Sequence, residues 1–376
     1  MSTWLFWSSL VLVAYTYAGY ALLVRSLARR RGTTPTLGDV DAPVTVVIAA
    51  CNEAGRIAAR VRNVLAQDYP PQRLSVLVVS DGSSDGTAAA AAIGDPRVRV
   101  LAFDENRGKA AALSAALATV QTEFVVFGDA RQSFAPDAVR RLLMPFADPG
   151  VGAVTGELEI VETDGGHRRA AHPGLYWRME KALRQDEARI GWLHGVSGAV
   201  YALRTALFQP MPAGTILDDM WIPLHVAFAG KRVWMARDAQ AFDDASATTA
   251  EEYRRKLRTL AGNWQLVARL PRLLSPRANP LFFAWVSHKL LRLFAPWALL
   301  AAWISSALID APFYRFAFGV QTVAYLAAAF ALLAPRLAAR IPLLPAAGSF
   351  VMLNSAALLA LPASLVLDSR RLWRRH

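Results

Sequence analysis

The sequence predicts an α/β domain with a mainly parallel sheet, flanked by membrane-spanning helices at both ends of the chain. Between residues 36 and 270, apolar runs rich in β-branched residues alternate with helical segments, which is typical of strands joined by helical crossovers. Several of these runs end on an acidic residue. Outside this region lie long stretches without a charged residue, long enough to cross about 30 Å of hydrocarbon.

Four strands and three helices are predicted in the first half of the domain. The run "VTVVIAA" (44–50) is continuously apolar, as expected for a strand that is covered on both faces. The remaining predicted elements are strands at 74–80, 98–101 and 123–129 and helices at 55–67, 87–93 and 109–118. In parallel sheets of this kind, ligands bind at the carboxyl ends of the strands.

Three acidic residues directly follow or end predicted strands. Asp81 and Asp129 come at the ends of the second and fourth strands, and Glu53 follows the first. We expect them at one edge of the sheet, where they repel each other unless a base, a ribose or a divalent cation offsets their charge. Asp81 could instead cap the next helix, but Asp85 lies nearer to the helix start and is the better candidate for a cap.

Four apolar stretches predict membrane helices. The first covers 5–24 and is followed by the basic segment "RSLARRR", so the positive-inside rule places the α/β domain in the cytoplasm. The other three are 293–309, 316–334 and 341–367. Residues 282–294 mix aromatic and basic side chains, which predicts an amphipathic helix on the membrane surface.

The predicted organisation therefore has three parts. Residues 1–35 form a membrane helix with its basic flank, 36–270 the cytoplasmic domain, and 271–376 the interfacial helix, the C-terminal membrane helices and a basic tail. The number of C-terminal spans stays open, because 341–367 contains three prolines and Asn354 and could form a re-entrant segment or two half-spans. Four spans would put the tail outside, whereas its four arginines favour the cytoplasm.

Composition narrows the class of partner. The chain has 376 residues, a net charge of +12 and 54% hydrophobic residues. Its basic residues cluster at the membrane boundaries and no groove-reading motif occurs, which favours membrane lipid or phosphate-bearing substrates over nucleic acid. Cys51 is the single cysteine, so no intrachain disulfide can form, and this fits a reducing cytoplasm.

Seven motifs, taken in order, resemble the family 2 glycosyltransferases over about 43–266. They are "VVIAACNEAGRI", "VVSDGSSDGT", "ENRGKAAAL", "FVVFGDARQ", "GVSGAVYALR", "TILDDMWIPL" and "RRKLRTLAGNWQL". The flanking membrane segments resemble the polysaccharide-synthase branch of that family. The resemblance implies a GT-A fold with a mixed, mainly parallel sheet, and a multi-pass enzyme of a bacterial-type inner membrane.

The resemblance also implies a reaction. An inverting enzyme of this kind moves a sugar from a nucleotide sugar, here a UDP-sugar, to a polysaccharide or a lipid-linked glycan, with a divalent cation, Mg²⁺ or Mn²⁺. Two alternatives stay open: transfer of one sugar to a polyprenyl phosphate, and a non-catalytic membrane subunit that binds a nucleotide sugar. Whether a partner subunit is needed also stays open.

On the donor side, five residues match family positions. The resemblance implies that Ala50 and Glu53 border the nucleoside, that Asp81 contacts the uridine base and that Lys109 lies near the diphosphate. Asp129 matches the first acid of the metal-binding D-x-D motif.

On the acceptor side, Asp219 matches the catalytic base and Asp218 its acidic neighbour. One base and a direct attack give inversion. The alternative is that Asp218 or Asp219 only caps the helix that begins there. His194, in a glycine-rich stretch, could contact the acceptor or be structural, and Trp264 is a further acceptor-side candidate.

The sequence departs from the family pattern at two places. The D-x-D motif reads Asp129-Ala130-Arg131, so its second acid is missing, and Arg131 could instead neutralise phosphate directly. The Q-x-x-R-W motif of processive members has its nearest match at 255–259, without the Gln and the Trp. Arg258 remains a candidate for the diphosphate, although its helix could equally face anionic lipid. Processivity stays open.

Overall fold

The computed structural model describes residues 2–164, 167–170, 175–244 and 249–366. The chain divides into two compact units. The sheet unit comprises Val24–Ala245 and Asn279–Leu281, and the helical unit comprises Met1–Leu23, Ser246–Ala278 and Phe282–His376. The three-part division drawn from the sequence stays a prediction.

Among the described residues, the sheet unit has one nine-stranded mixed sheet, which confirms the predicted sheet. The strands are β1 Val44–Ala50, β2 Leu74–Asp81, β3 Val98–Phe103, β4 Phe124–Asp129, β5 Ser133–Phe134, β6 Val151–Asp164, β7 His167–Ala170, β8 Tyr201–Arg204 and β9 Arg232–Asp244. Their order is β3-β2-β1-β4-β8-β6-β9-β5, with β7 paired to β6. The four strands of the first half are all parallel, and β8 joins them antiparallel to β4.

The helices are numbered in chain order. They are α1 Ser2–Ala14, α2 Tyr20–Arg31, α3 Ala54–Leu65, α4 Thr87–Ala91, α5 Lys109–Leu117, α6 Ala138–Leu143, α7 Leu175–Arg189, α8 Asp218–Phe228, α9 Thr249–Arg269, α10 Phe282–Trp285, α11 Leu291–Leu308, α12 Pro312–Leu333, α13 Pro335–Ala338 and α14 Leu344–Val366. Two π-helical turns, Tyr15–Gly19 and Val286–Leu290, continue α1 into α2 and α10 into α11.

The central strands are mostly apolar because both of their faces are covered. Six of the seven residues of β1 are buried, and so are seven of the eight in β2, whereas β3 at the edge has no fully buried residue. β3 runs two residues past its predicted end because its pairing with β2 continues to Asp81 and Phe103. The helix predicted at 87–93 already ends at Ala91, and Gly94 follows with a positive φ of 81°.

The register of the parallel strands places their carboxyl ends side by side. Ala50 pairs with Ser80 on one side of β1, and Ala49 pairs with Asp129 on the other. The last residues of β1, β2 and β4 therefore lie along one edge, where the sequence predicted the acids.

Within the described ranges of the chain, four helices are long and apolar enough to cross a membrane. They are Ser2–Arg31, Phe282–Leu308, Pro312–Leu333 and Leu344–Leu365. The segment predicted as a separate interfacial helix is the beginning of the second of these, because 282–295 contains no Gly or Pro to break it. The last apolar stretch is a single helix, not two half-spans, with Pro362 close to its end. The basic tail at 369–376 lies outside the described residues.

Polar side chains within these helices bind each other. The Tyr15 hydroxyl lies 2.8 Å from the Ser287 hydroxyl, which joins the two π-helical turns. The Tyr17 hydroxyl donates to Oδ1 of Asn354 at 2.8 Å. Such pairs satisfy polar groups that lipid cannot, and they account for an asparagine in an otherwise apolar stretch.

Candidate active site

The centre of the site is one lysine held between two carboxylates. Lys109 opens α5, and its Nζ lies 3.0 Å from Oδ1 of Asp129, at the end of β4. The same Nζ lies 3.1 Å from Oδ2 of Asp218, the first residue of α8. The ammonium therefore joins the donor-side acid to the pair of acids on α8.

The charge of Lys109 is maintained by its partners. Burial opposes the ammonium, but the carboxylates of Asp129 and Asp218 outweigh this cost and raise the pKa of Lys109 above its ordinary value. The side chain of Asp218 is 8% exposed and that of Asp129 is 33% exposed. Asp129 is thus the member of the group that solvent or a ligand reaches more readily.

Asp219 follows in the first turn of α8 and is half-buried. Leu217, not an aspartate, occupies the N-cap position, and no side-chain bond caps this helix. Two acids in the first turn still suit the positive end of the helix dipole. The capping alternative for the pair therefore loses its support.

The glycine-rich segment before β8 packs against these acids. The main-chain N–H of Val196 donates to the carbonyl of Asp219 at 2.9 Å. A Cβ on Gly198 would lie 3.6 Å from Cβ of Asp219 and 3.8 Å from Nζ of Lys109. Glycine at this position keeps the backbone close to Asp219 while leaving the space beside the carboxylate open.

On the donor side, Asp81 is buried and holds the loop that leads into α5. Its Oδ1 accepts from the N–H of Arg107 at 2.8 Å, and its Oδ2 accepts from the N–H of Gly108 at 2.9 Å. Asp85 lies one residue before Gly86, the N-cap residue of α4, and its Oδ1 accepts from the N–H of Thr87, the first residue of that helix. Its Oδ2 accepts from the N–H of Ala54, so Asp85 also ties the start of α3.

The remaining donor-side candidates lie at the end of β1. Ala50 is its last residue and is 4% exposed. Glu53 occupies the N-cap position of α3, and its carboxylate pairs with Nε of Arg56 at 3.3 Å. Between them, Asn52 has a positive φ of 55°, which Asn tolerates better than most residues, and its Oδ1 accepts from the N–H of Ser84.

Gly82, between Asp81 and the loop, offers a test of this arrangement. Its φ is 61°, and a Cβ there would lie 2.2 Å from the main-chain N of Asn106. We expect Gly82→Ala to destabilise the protein by about 2–4 kcal/mol and to weaken nucleotide binding, since the loop must move away from Asp81. Gly86→Ala is the matched control, because Gly86 has a φ of 83° but no atom within 4 Å of such a Cβ. Thermal unfolding and UDP titration of both variants measure stability and nucleotide affinity. Equal losses of stability and affinity in the two variants would contradict the expectation.

The loop after β4 carries the altered D-x-D motif and is held from two sides. Nη2 of Arg131 lies 3.7 Å from Oδ2 of Asp243 on β9, and Nε2 of Gln132 donates to the same oxygen at 2.8 Å. From α3, Nε of Arg60 donates to the carbonyl of Asp129 at 3.2 Å. Burial lowers the pKa of Arg60 to about 9, against the opposing effect of the Asp129 carboxylate.

Arg60 and Asp243 were not foreseen from the sequence. Arg60, Asn63 and Gln67 recur at helical spacing within the segment predicted as a helix, and all three hydrogen-bond the main chain between Asp129 and Val139. That polar row on an otherwise apolar helix face was the available signal. No local pattern points to Asp243, which lies more than a hundred residues after the motif.

Three residues predicted for the site have other surroundings in the structure. His194 is buried, and its Nδ1 lies 3.2 Å from the carbonyl of Trp192. Arg258 and Trp264 belong to α9 in the helical unit, where the Trp264 ring packs edge-on against Phe294 at 5.6 Å. Their assignments to acceptor and diphosphate stay predictions.

Sequence comparisons identify the domain. Residues 45–209 match the model of Glycosyl transferase family 2. A succinoglycan biosynthesis protein, ExoO, of Rhizobium meliloti (strain 1021) is 36% identical over 123 residues, which are 32% of this chain and 35% of that protein. An N-acetylglucosaminyltransferase of Mesorhizobium japonicum is 34% identical over 162 residues, 42% of this chain and 38% of that protein. The chain thus matches little more than a third of the length of these relatives.

A solved structure agrees in fold. The mannosyltransferase PcManGT from Pyrobaculum calidifontis, in complex with GDP-Man and Mn²⁺, superposes with a TM-score of 0.72. The alignment covers 96% of this chain and 99% of that one at 23% identity. Together with the mixed sheet and the family match, this shows that the chain carries a family 2 glycosyltransferase domain of the GT-A fold.

Proposed function

We propose that the protein is an inverting glycosyltransferase that moves a sugar from a UDP-sugar to a polysaccharide or a lipid-linked glycan. The observation that carries this proposal is the group formed by Lys109, Asp129 and Asp218, with Asp219 adjacent on α8. The Lys109 ammonium supplies a positive charge beside the strand ends, where ligands bind in parallel sheets, and α8 supplies a pair of carboxylates. Relatives named for succinoglycan biosynthesis and N-acetylglucosamine transfer support sugar transfer to a polysaccharide.

The reaction needs a neutralised leaving group and a deprotonated acceptor. Lys109 and Arg131 would bind the oxygens of the diphosphate, and Asp81 with Ala50 and Glu53 would hold the nucleoside. Asp219 would take the proton from the acceptor hydroxyl as that oxygen attacks the anomeric carbon. Since one carboxylate serves one direct displacement, the configuration at that carbon inverts.

We infer further that Asp129 holds a divalent cation, Mg²⁺ or Mn²⁺. Its carboxylate is one-third exposed at the end of β4, and such ions need only one or two carboxylates when phosphate supplies the other oxygens. The missing second acid of the motif is therefore compatible with a cation shared with the donor. When bound, the cation would add to the positive charge that stabilises the diphosphate leaving group. The Mn²⁺ named with the mannosyltransferase structure supports this inference.

We also propose a bacterial-type inner membrane as the location, with the sheet unit in the cytoplasm. Three arginines, Arg29, Arg30 and Arg31, close α2 after the first apolar stretch. By the positive-inside rule, such residues stay on the cytoplasmic side. That side also supplies nucleotide sugars.

A donor panel tests the proposal. Protein purified in detergent is incubated with UDP-sugars and GDP-sugars, Mg²⁺ or Mn²⁺, and a bacterial lipid extract, and the released nucleoside diphosphate is measured. We expect release with a UDP-sugar and loss of release when EDTA is added. Thin-layer analysis of the lipid fraction separates a growing glycan from a single sugar on polyprenyl phosphate. Release from GDP-sugars alone, or from none, would contradict the proposal.

A further inference from the structure

Tyr201 is a buried residue beside the site that the proposed chemistry leaves unused. It opens β8 and lies opposite Phe127 of β4 and Thr155 of β6. Its side chain is fully buried, and its ring stacks on Phe127 with centroids 4.4 Å apart and planes 10° from parallel. The ring therefore packs like any core aromatic, and only its hydroxyl calls for an explanation.

The hydroxyl has no hydrogen-bond partner among the described residues. Tyr201 lines a crevice together with Lys109, Asp129, Gly198 and Asp218. Burial, and then the fields of Asp218, Asp219 and Asp129, raise the pKa of Tyr201 well above its ordinary value, so the group stays protonated. It is a hydrogen-bond donor on a residue that lines the same crevice as Asp129 and Asp218. A buried polar group without a partner is costly, and phenylalanine would fill the same space without that cost.

The charge balance of the site indicates when the hydroxyl gains a partner. One ammonium, on Lys109, serves the two carboxylates of Asp129 and Asp218. Oδ2 of Asp218 is buried and has this ion pair, but no hydrogen bond within the described part of the chain. When a diphosphate binds Lys109, the ammonium is shared with new negative oxygens. Asp218, 6% exposed, would then be a buried carboxylate with a weakened partner, which is strongly unfavourable.

We propose that Tyr201 is a positioning residue whose hydroxyl donates a hydrogen bond to the Asp218 carboxylate once a donor diphosphate engages Lys109. This inference rests on the proposed function of the site. The hydroxyl acts through Asp218 and does not touch the substrate. The buried hydroxyl is then retained, although it is unfavourable by itself, because it can donate a hydrogen bond to Asp218 when the diphosphate binds Lys109.

Two tyrosine-to-phenylalanine substitutions with opposite expected signatures test the proposal. Tyr69, 5% exposed, is the matched control: its hydroxyl lies 2.8 Å and 2.6 Å from the carbonyl oxygens of Val40 and Ala42. Tyr69→Phe removes a satisfied hydroxyl, so we expect its melting temperature to fall by roughly 2–6 °C while kcat is unchanged. We expect Tyr201→Phe to melt at the wild-type temperature or above it. Its kcat/KM for the donor should fall about 10- to 100-fold, the range for losing a hydrogen bond to a charged group.

A binding measurement adds a readout that does not depend on turnover. UDP and GDP are each added at saturating concentration, and the rise in melting temperature is compared between wild type and Tyr201→Phe. We expect a smaller rise in the variant, because Asp218 lacks its second partner in the nucleotide complex. A wild-type kcat/KM for the donor in Tyr201→Phe, an equal nucleotide-induced rise, or a melting temperature lowered as in Tyr69→Phe would each overturn the inference. If wild type itself releases no nucleoside diphosphate from any donor, the proposed function fails, and the nucleotide-induced rise still tests Tyr201.

Discussion

Replacing Asp219 with asparagine is expected to abolish sugar transfer while nucleotide binding stays intact. Asparagine keeps the size of the side chain but cannot take a proton from the acceptor hydroxyl. Loss of a general base lowers kcat by about 10²- to 10⁴-fold. Binding of the nucleoside and diphosphate should be preserved, because the proposed contacts for both come from Lys109 and from the strand ends.

The measurement pairs turnover with calorimetry. Release of nucleoside diphosphate from the active donor gives kcat, and titration with UDP gives the binding constant of the product. Asp238→Asn is the matched control, because its side chain is 61% exposed and pairs with Arg141 on the surface. We expect that variant to behave as wild type in both assays. Near-wild-type turnover in Asp219→Asn would refute its assignment as the base.

Replacing Lys109 with methionine is expected to cost both stability and activity. Methionine fills a similar volume but leaves the carboxylates of Asp129 and Asp218 without their shared ammonium. Removing one partner from buried ion pairs costs about 3–5 kcal/mol, and the one-third exposure of Asp129 reduces this to about 2–4 kcal/mol here. Diphosphate binding should weaken in the same variant, since the positive charge is lost.

Thermal unfolding at neutral pH and UDP titration measure the two effects of Lys109→Met. The matched control is Lys231→Met, because the Lys231 ammonium donates only to the carbonyl of Pro149 in the described contacts. Addition of Mg²⁺ or Mn²⁺ should restore part of the lost stability, because a divalent cation can replace the ammonium between the two carboxylates. A Lys109→Met protein as stable as Lys231→Met would contradict the role given to this ion pair.

The parallel half of the sheet could be predicted from the sequence because its signals are local. Each central strand is a short apolar run, and each acid follows its run directly, so the strand ends and Asp81 and Asp129 lie together as predicted. The edge strand β3 was predicted too short, because its last residues, Ala102 and Phe103, are exposed or half-buried and belong to the strand only through their pairing with β2.

The links between distant segments could not be predicted in the same way. The contact of Lys109 with Asp218 joins residues more than a hundred positions apart, and that of Asp243 with Gln132 is of the same kind. No local sequence pattern indicates such pairs, because they depend on the positions that β8 and β9 take in the sheet. The unpartnered hydroxyl of Tyr201 is likewise invisible in "GAVYALR", where the residue is one aromatic in an apolar strand.

Asp81 connects the end of β2 to the start of α5. The acid ends β2 and binds the main chain of Arg107 and Gly108, the two residues before Lys109. The end of β2 and the ammonium shared by Asp129 and Asp218 are therefore linked through the main chain of two consecutive residues. We expect a displacement of Asp81 to move Lys109 as well.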